Sequence, residues 1–222
     1  MAKILALTCL TATAGALRLR DSALLRLRGP LRPLRSRTKI LMLMSDTGGG
    51  HRASANALAQ ALRRQRPGRA DVEFLDIWTE SGVFPWSSAP RAYQVLGSRP
   101  AAWRALWYGS AAYPIRLVTR ALHDFSVRRR FQRLLKAAAP DLVVSVHPLC
   151  QHVPLTARAW LEREQRRRVP FATVVTDLGS AHPMWFDGRV DRCFVPTRRL
   201  AALGAYHGVD PARVANHGLP LR

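Results

Sequence analysis

The sequence predicts an α/β fold, a Rossmann-like doubly wound parallel sheet, and three observations predict it. Short apolar runs alternate with segments of helical period from Lys39 onward. Most of these runs are unbroken rather than alternating, as strands covered on both faces require. Glycines, histidines and carboxylates cluster just after the runs, at the carboxyl ends where such sheets hold ligands.

Each element follows in order. Lys39-Ile40-Leu41-Met42-Leu43-Met44 is the first strand, and it stops at Ser45-Asp46-Thr47-Gly48-Gly49-Gly50. A helix runs from His51 to about Arg66, with Ala55, Leu58, Ala59 and Leu62 at i, i+3, i+4 and i+7, and Pro67-Gly68 closes it. Asp71 to Ile77 alternates and is the second strand. Residues 79–113 are aromatic-rich and broken by Pro85, Pro90 and Pro100, which predicts short helices and loops. Ile115 to Ala139 reads as one long helix carrying Arg128-Arg129-Arg130. Leu142–Val146, Phe171–Thr176 and Arg192–Val195 are the third, fourth and fifth strands. Helices over 152–166 and Thr197–His207 complete the alternation, joined by right-handed crossovers.

Composition sets the class of partner. Of 222 residues, 35 are Lys or Arg against 14 Asp or Glu, a net charge of +21 that favours anionic partners. No recognisable DNA- or RNA-binding motif accompanies that charge, so nucleic acid is not an expected partner. No apolar run reaches the ~18–20 residues needed to span a bilayer. Three widely spaced cysteines (Cys9, Cys150, Cys193) form no C-x-x-C pair and fit neither a zinc knuckle nor a disulfide framework.

Residues 1–38 read as a targeting peptide. Lys3 and the apolar stretch Ile4–Leu10 end in Ala14-Gly15-Ala16, the shape of a signal-peptidase site. Leu17 to Arg37 then carries seven Arg and only Asp21 as an acid, like a transit peptide. The two in series suggest a bipartite plastid address; a single organellar transit peptide or an Arg-rich tail are the alternatives.

Four strand ends bring polar residues to one edge: Gly48 to His51, Trp78-Thr79-Glu80, His147-Pro148 and Asp177. Three glycines before a helix let the backbone hug an anion at the helix N-terminus. Their spacing matches neither G-x-G-x-x-G nor a P-loop. His51 stands behind them at the helix start, where the dipole favours neutral imidazole and a general-base role. Asp177 orients either His51 or a substrate hydroxyl, unless it is a helix cap. His147 and His152 have a spacing that fits a metal, but no third ligand is near, and hydrogen bonding within the loop is the simpler reading. No metal or other cofactor is expected.

Ser45-Asp46-Thr47-Gly48-Gly49-Gly50-His51-Arg52-Ala53-Ser54-Ala55 resembles the opening motif of monogalactosyldiacylglycerol synthases. Asp76–Glu80, Ser145–Leu155, Val175–Leu178 and His182–Phe186 agree with that family in order, and Gly218–Arg222 resembles its exit from the first domain. The resemblance covers residues 39–222. It implies the N-terminal, acceptor-binding half of a two-domain GT-B glycosyltransferase, with the nucleotide-sugar domain expected beyond Arg222. It further implies inverting transfer of galactose from UDP-galactose to diacylglycerol, with peripheral association at the plastid (chloroplast) envelope membrane. In it His51 is the base, and Thr47, Gly48, Gly49 and Gly50 face the donor phosphates. Pro85, Trp86, His147, Pro148, His152, His182, Trp185 and Phe186 are implied at the acceptor and lipid. Trp185-Phe186 and Pro85-Trp86 either line an acyl-chain entrance or pack in the core. The aromatic, Arg-rich stretch from Trp86 to Arg130 suits docking on an anionic lipid such as phosphatidylglycerol. A non-catalytic lipid-binding module and a transferase of another UDP-sugar remain the competing readings.

Overall fold

A computed structural model describes residues 37–45, 49–82 and 86–220. Its six strands are β1 Thr38–Met44, β2 Ala70–Asp76, β3 Leu142–Ser145, β4 Phe171–Val174, β5 Arg192–Val195 and β6 Val214–Asn216. They form one sheet in the order β2-β1-β3-β4-β5-β6, and every neighbouring pair is parallel. The helices are α1 Gly49–Gln65, α2 Ile77–Ser81, α3 Ala89–Gly97, α4 Pro100–Ala111, α5 Tyr113–Ser126, α6 Arg128–Ala138, α7 His152–Gln165 and α8 Arg198–Tyr206.

The expected doubly wound sheet is therefore present, and β1 shows why its run had to be unbroken. Ile40, Met42 and Met44 face one layer, where Ala55, Leu58, Ala59 and Leu62 of α1 cover them. Leu41 and Leu43 face the other, with Phe131 and Leu135 of α6 and Val153, Leu155 and Leu161 of α7. Period-two alternation divides the chain between two cores, and both are apolar. Cys150 and Cys193 are buried free thiols within this packing.

Several elements differ from expectation. The long helix over 115–139 is two helices, α5 and α6, meeting at Val127 (φ −112°, ψ −35°). The hydrogen-bond ladder runs through, since Val127 N donates to His123 O and Phe131 N to Val127 O. Val127, Phe131, Leu135 and Ala138 enter the core, while most apolar side chains of α5 do not. β6 was not expected: Val-Ala-Asn is too short to announce itself, and it forms by pairing with Cys193, Phe194 and Val195. The second strand ends one residue early because Asp76 caps α2, its Oδ1 accepting from Trp78 N and Thr79 N at 3.0 and 3.2 Å.

A buried ion cluster fastens β4 to β5 and α7. Asp191 accepts from Arg158 at 2.6 Å and from the Phe171 backbone at 2.8 Å, and it also pairs with Arg168.

Candidate active site

In a sheet with this strand order the crevice opens between β1 and β3, where the winding reverses. His51 follows β1 and His147 follows β3, and their rings meet there edge to face, 4.6 Å between centroids. His51 lies in the first turn of α1, as the glycine spacing predicted. Its Nδ1 is 2.8 Å from Thr176 Oγ1, just beyond β4, and its ring is 5.9 Å from that of Trp185. Three residues distant from it in sequence, His147, Thr176 and Trp185, thus surround one imidazole. Among the described residues, no atom outside its chain neighbours and its own helix backbone lies within 4 Å of where a Gly50 Cβ would sit.

Burial is the largest influence on His51 and holds its pKa below the ordinary histidine value. The Asp177 charge and a backbone hydrogen bond at Val146 pull the other way. The result is a neutral imidazole at neutral pH, as expected; burial rather than the helix dipole is the leading cause. His147 is fully buried and its pKa is driven well below normal, first by burial and then by His51. It is a packing partner with a fixed ring, its Nδ1 accepting from Leu149 N at 3.2 Å.

Asp177 does not make the hydrogen bond that orients His51; Thr176 does. Asp177 Oδ2 instead accepts from Trp185 Nε1 at 2.7 Å. Burial raises the Asp177 pKa, and the Trp185 hydrogen bond and His51 oppose that rise. Asp177 therefore acts on His51 through its charge. The division follows from the strand period: Ala172 and Val174 face α1, and Thr176 continues that face toward His51. Phe171 and Val175 face the other layer, and Asp177 continues it toward Trp185. Extending the alternation two residues past β4 would have singled out Thr176.

Trp185 and Phe186 do not line an open acyl-chain entrance in this structure. Trp185 is 0% exposed and Phe186 2%, because the turn Pro183–Trp185 drives both inward. Phe186 stacks on His207 at 5.8 Å and rests against Gly204, whose Cβ would lie 3.2 Å from the ring. His182 caps the same turn, its Nδ1 accepting from Met184 N. Its Nε2 is 3.1 Å from Ser110 Oγ and its ring is 5.4 Å from Trp107, so α4 closes over it. Burial, the main cause, lowers the His182 pKa to about 4.

His147 and His152 do not converge. His152 turns to Asp124 (3.0 Å) and to Arg189 (3.2 Å), which is itself held by Asp187 at 2.7 and 2.8 Å. Pro148 opens the short turn Pro148–Cys150 that separates the two histidines. Beneath that turn Gln151 Nε2 donates to Ser145 Oγ (2.9 Å) and to His147 O (3.2 Å), and its Oε1 accepts from Thr173 (2.7 Å). This buried network fixes the loop that carries His147. Gln151 lies within Ser145–Leu155, and only the fold shows that it spans β3 and β4. Among the described residues no group of three His, Cys, Asp or Glu side chains is placed to hold a metal ion. Residues 1–36, Thr47, Gly48, Pro85 and the side chain of Trp86 lie outside the described residues.

The family model for monogalactosyldiacylglycerol (MGDG) synthase matches residues 51–221. The chloroplastic monogalactosyldiacylglycerol synthase of Spinacia oleracea is 38% identical over 184 residues, covering 83% of this chain and 35% of that protein. Chloroplastic synthases 1 and 2 of Arabidopsis thaliana are each 35% identical, over 83% and 84% of this chain and 34% and 40% of their own lengths. A solved structure, the apo form of the lipopolysaccharide outer core galactosyltransferase WaaB, is similar with a TM-score of 0.46 and 11% identity, covering 80% of this chain and 44% of that one. The chain spans between a third and two fifths of the length of these curated relatives. With a family match over residues 51–221 and relatives 35–38% identical over more than four fifths of its length, the chain belongs to the monogalactosyldiacylglycerol synthase family.

Proposed function

We propose that this chain is the acceptor-binding half of a GT-B galactosyltransferase that moves galactose from UDP-galactose to 1,2-diacylglycerol with inversion. The observation that carries the reading is the neutral His51, fixed by Thr176 and His147 at the sheet's crevice. The free hydroxyl of diacylglycerol attacks the anomeric carbon as His51 takes its proton. The bond from that carbon to the diphosphate oxygen breaks, and UDP leaves with the electron pair. The proton arriving on His51 creates an imidazolium, which the nearby Asp177 charge favours. The leaving diphosphate is drawn to the N–H groups at the start of α1, beside Gly50. These groups supply the stabilisation, and the reaction as proposed needs no metal or other cofactor.

Diacylglycerol is a bilayer component, so the protein works at a membrane surface. Among the described residues no helix is long and apolar enough to cross one, which suits peripheral association. The relatives' names place them in the chloroplast, and a plastid envelope membrane is the proposed site of action. The basic surface favours an anionic lipid such as phosphatidylglycerol as a further partner.

His51→Ala in the complete enzyme tests the assignment. Loss of one general base costs ~10²–10⁴-fold in rate. Galactose transfer should fall by that factor while vesicle binding is kept; wild-type turnover would remove His51 from the mechanism.

A further inference from the structure

A histidine takes up a proton only through a nitrogen that holds a lone pair, so which ring nitrogen is bare decides where a neutral imidazole acts as a base. For His51 that choice is set by what the ring touches. Nδ1 lies 2.8 Å from Thr176 Oγ1. A hydroxyl both donates and accepts, so this contact alone is compatible with either tautomer. A backbone hydrogen bond at Val146 also favours the protonated ring, as a carbonyl acceptor does. A carbonyl never donates, so the nitrogen that serves it carries hydrogen. If that nitrogen were Nε2, Thr176 would donate to Nδ1 and both nitrogens would be engaged. Such a ring holds no lone pair for a substrate hydroxyl. Serving Thr176 and Val146 from one N–H, at Nδ1, leaves Nε2 bare.

The fold holds Thr176 firmly enough to enforce this choice. Its neighbour Val175 is fully buried, and the Val175 N–H donates to Phe194 O at 2.8 Å, so the chain just past β4 stays in the frame of the sheet. Thr176 is β-branched, which stiffens its χ1. Its side chain is only half-buried, so its own hydroxyl proton has solvent to point to while the oxygen accepts from Nδ1. The two titratable neighbours of His51 are committed elsewhere. Asp177 Oδ2 accepts from Trp185 Nε1 at 2.7 Å, and His147 Nδ1 accepts from Leu149 N at 3.2 Å.

We propose that Thr176 is the positioning residue that selects the tautomer of His51: its hydroxyl oxygen accepts from Nδ1–H, which leaves the proton-accepting lone pair on Nε2. In a Ser-His-Asp triad one carboxylate both fixes the tautomer and stabilises the imidazolium. Here adjacent residues divide the two tasks, Thr176 supplying the hydrogen bond and Asp177 the charge. The proposal rests on the general-base reading of His51 for its effect on turnover. The tautomer itself is read without turnover, so its failure and that of the base reading are separable.

The test is long-range proton–nitrogen NMR of the 222-residue chain carrying nitrogen-15-labelled histidine, at neutral pH. His51→Gln assigns the His51 signals by their loss. The expected pattern is a protonated Nδ1 and a bare Nε2; a protonated Nε2 in the wild type would overturn the proposal. This measurement needs no Thr176 variant and stands even if one fails to fold. Thr176→Val keeps the shape, removes the acceptor and should shift the ring toward the Nε2–H form. In the complete enzyme it should lower kcat by on the order of 10-fold, the worth of one neutral hydrogen bond, with KM for diacylglycerol unchanged. Thr176→Ser keeps the hydroxyl and should restore both tautomer and rate. A Thr176→Val ring still protonated at Nδ1, or a Thr176→Ser enzyme as slow as Thr176→Val, would leave Thr176 a packing role and overturn the proposal. The Nδ1–H tautomer together with full turnover in His51→Ala would uphold the Thr176 assignment and sink the base reading alone.

Discussion

Trp185→Phe separates a lipid-contacting tryptophan from a strut under the base. The substitution keeps a ring in a fully buried site and removes the Nε1 donor that reaches Asp177 Oδ2 at 2.7 Å. A hydrogen bond to a charged acceptor is worth ~1.5–3 kcal/mol, and the lower end applies because Asp177 is only partly buried. The smaller ring adds about 1 kcal/mol of lost burial. The sum, roughly 2–3 kcal/mol, should lower the melting temperature of a domain this size by about 4–12 °C. The pH dependence carries the sharper test. Burial raises the Asp177 pKa in the folded protein, and the Trp185 hydrogen bond opposes that rise, so the variant's Asp177 should titrate higher still. The lost hydrogen bond favours the ionised carboxylate, so its share of the deficit is complete at neutral pH. It should shrink as pH falls through the raised Asp177 pKa toward the ordinary carboxylate value, leaving only the packing part. Thermal or urea unfolding of both proteins from pH 7 to pH 4 measures this. A deficit constant across that range would refute the coupling. An unchanged stability with a raised KM for diacylglycerol would restore Trp185 as a lipid contact.

Two further predictions remove a carboxylate. Asp177→Asn removes the charge that raises the His51 pKa, so the acid limb of the kcat/KM profile should move to lower pH while kcat falls; an unmoved limb would place Asp177 outside the electrostatics of the base. Asp191→Ala strips the 3%-exposed Arg158 of its 2.6 Å partner and should cost ~3–5 kcal/mol by urea titration. Burial alone would push the Asp191 pKa up, but Arg158 and Arg168 outweigh it and hold it below normal. Its contribution is therefore present above the ordinary carboxylate pKa and lost as pH falls through the depressed one; a variant as acid-stable as wild type near neutrality and unchanged below would contradict the anchor role.

The sequence by itself determined the sheet, the two-faced burial and the strand ends, because each is written in local period and composition. Runs such as Ile40–Met44 can only be covered on both sides, and glycines between a strand and a helix mark a turn whatever surrounds them. It also determined that His51 stands at a crevice, since the carboxyl ends of parallel strands share one edge. The family was legible from six short segments because their residues are tied to that edge. Which side chain touches which was decided only by the tertiary structure. Thr176 rather than Asp177 reaches His51 because neighbouring residues past β4 point to opposite faces. Trp185 looked like a loop aromatic, yet the turn at Pro183 buries it completely. β6 exists only because β5 offers a free edge. The outward apolar face of α5 is likewise a tertiary fact: its amphipathic pattern was present in the chain, but His152 and Trp78, distant in sequence, decide which face the fold receives. Period fixes that a helix has two faces; only the partners that capture one of them fix its rotation.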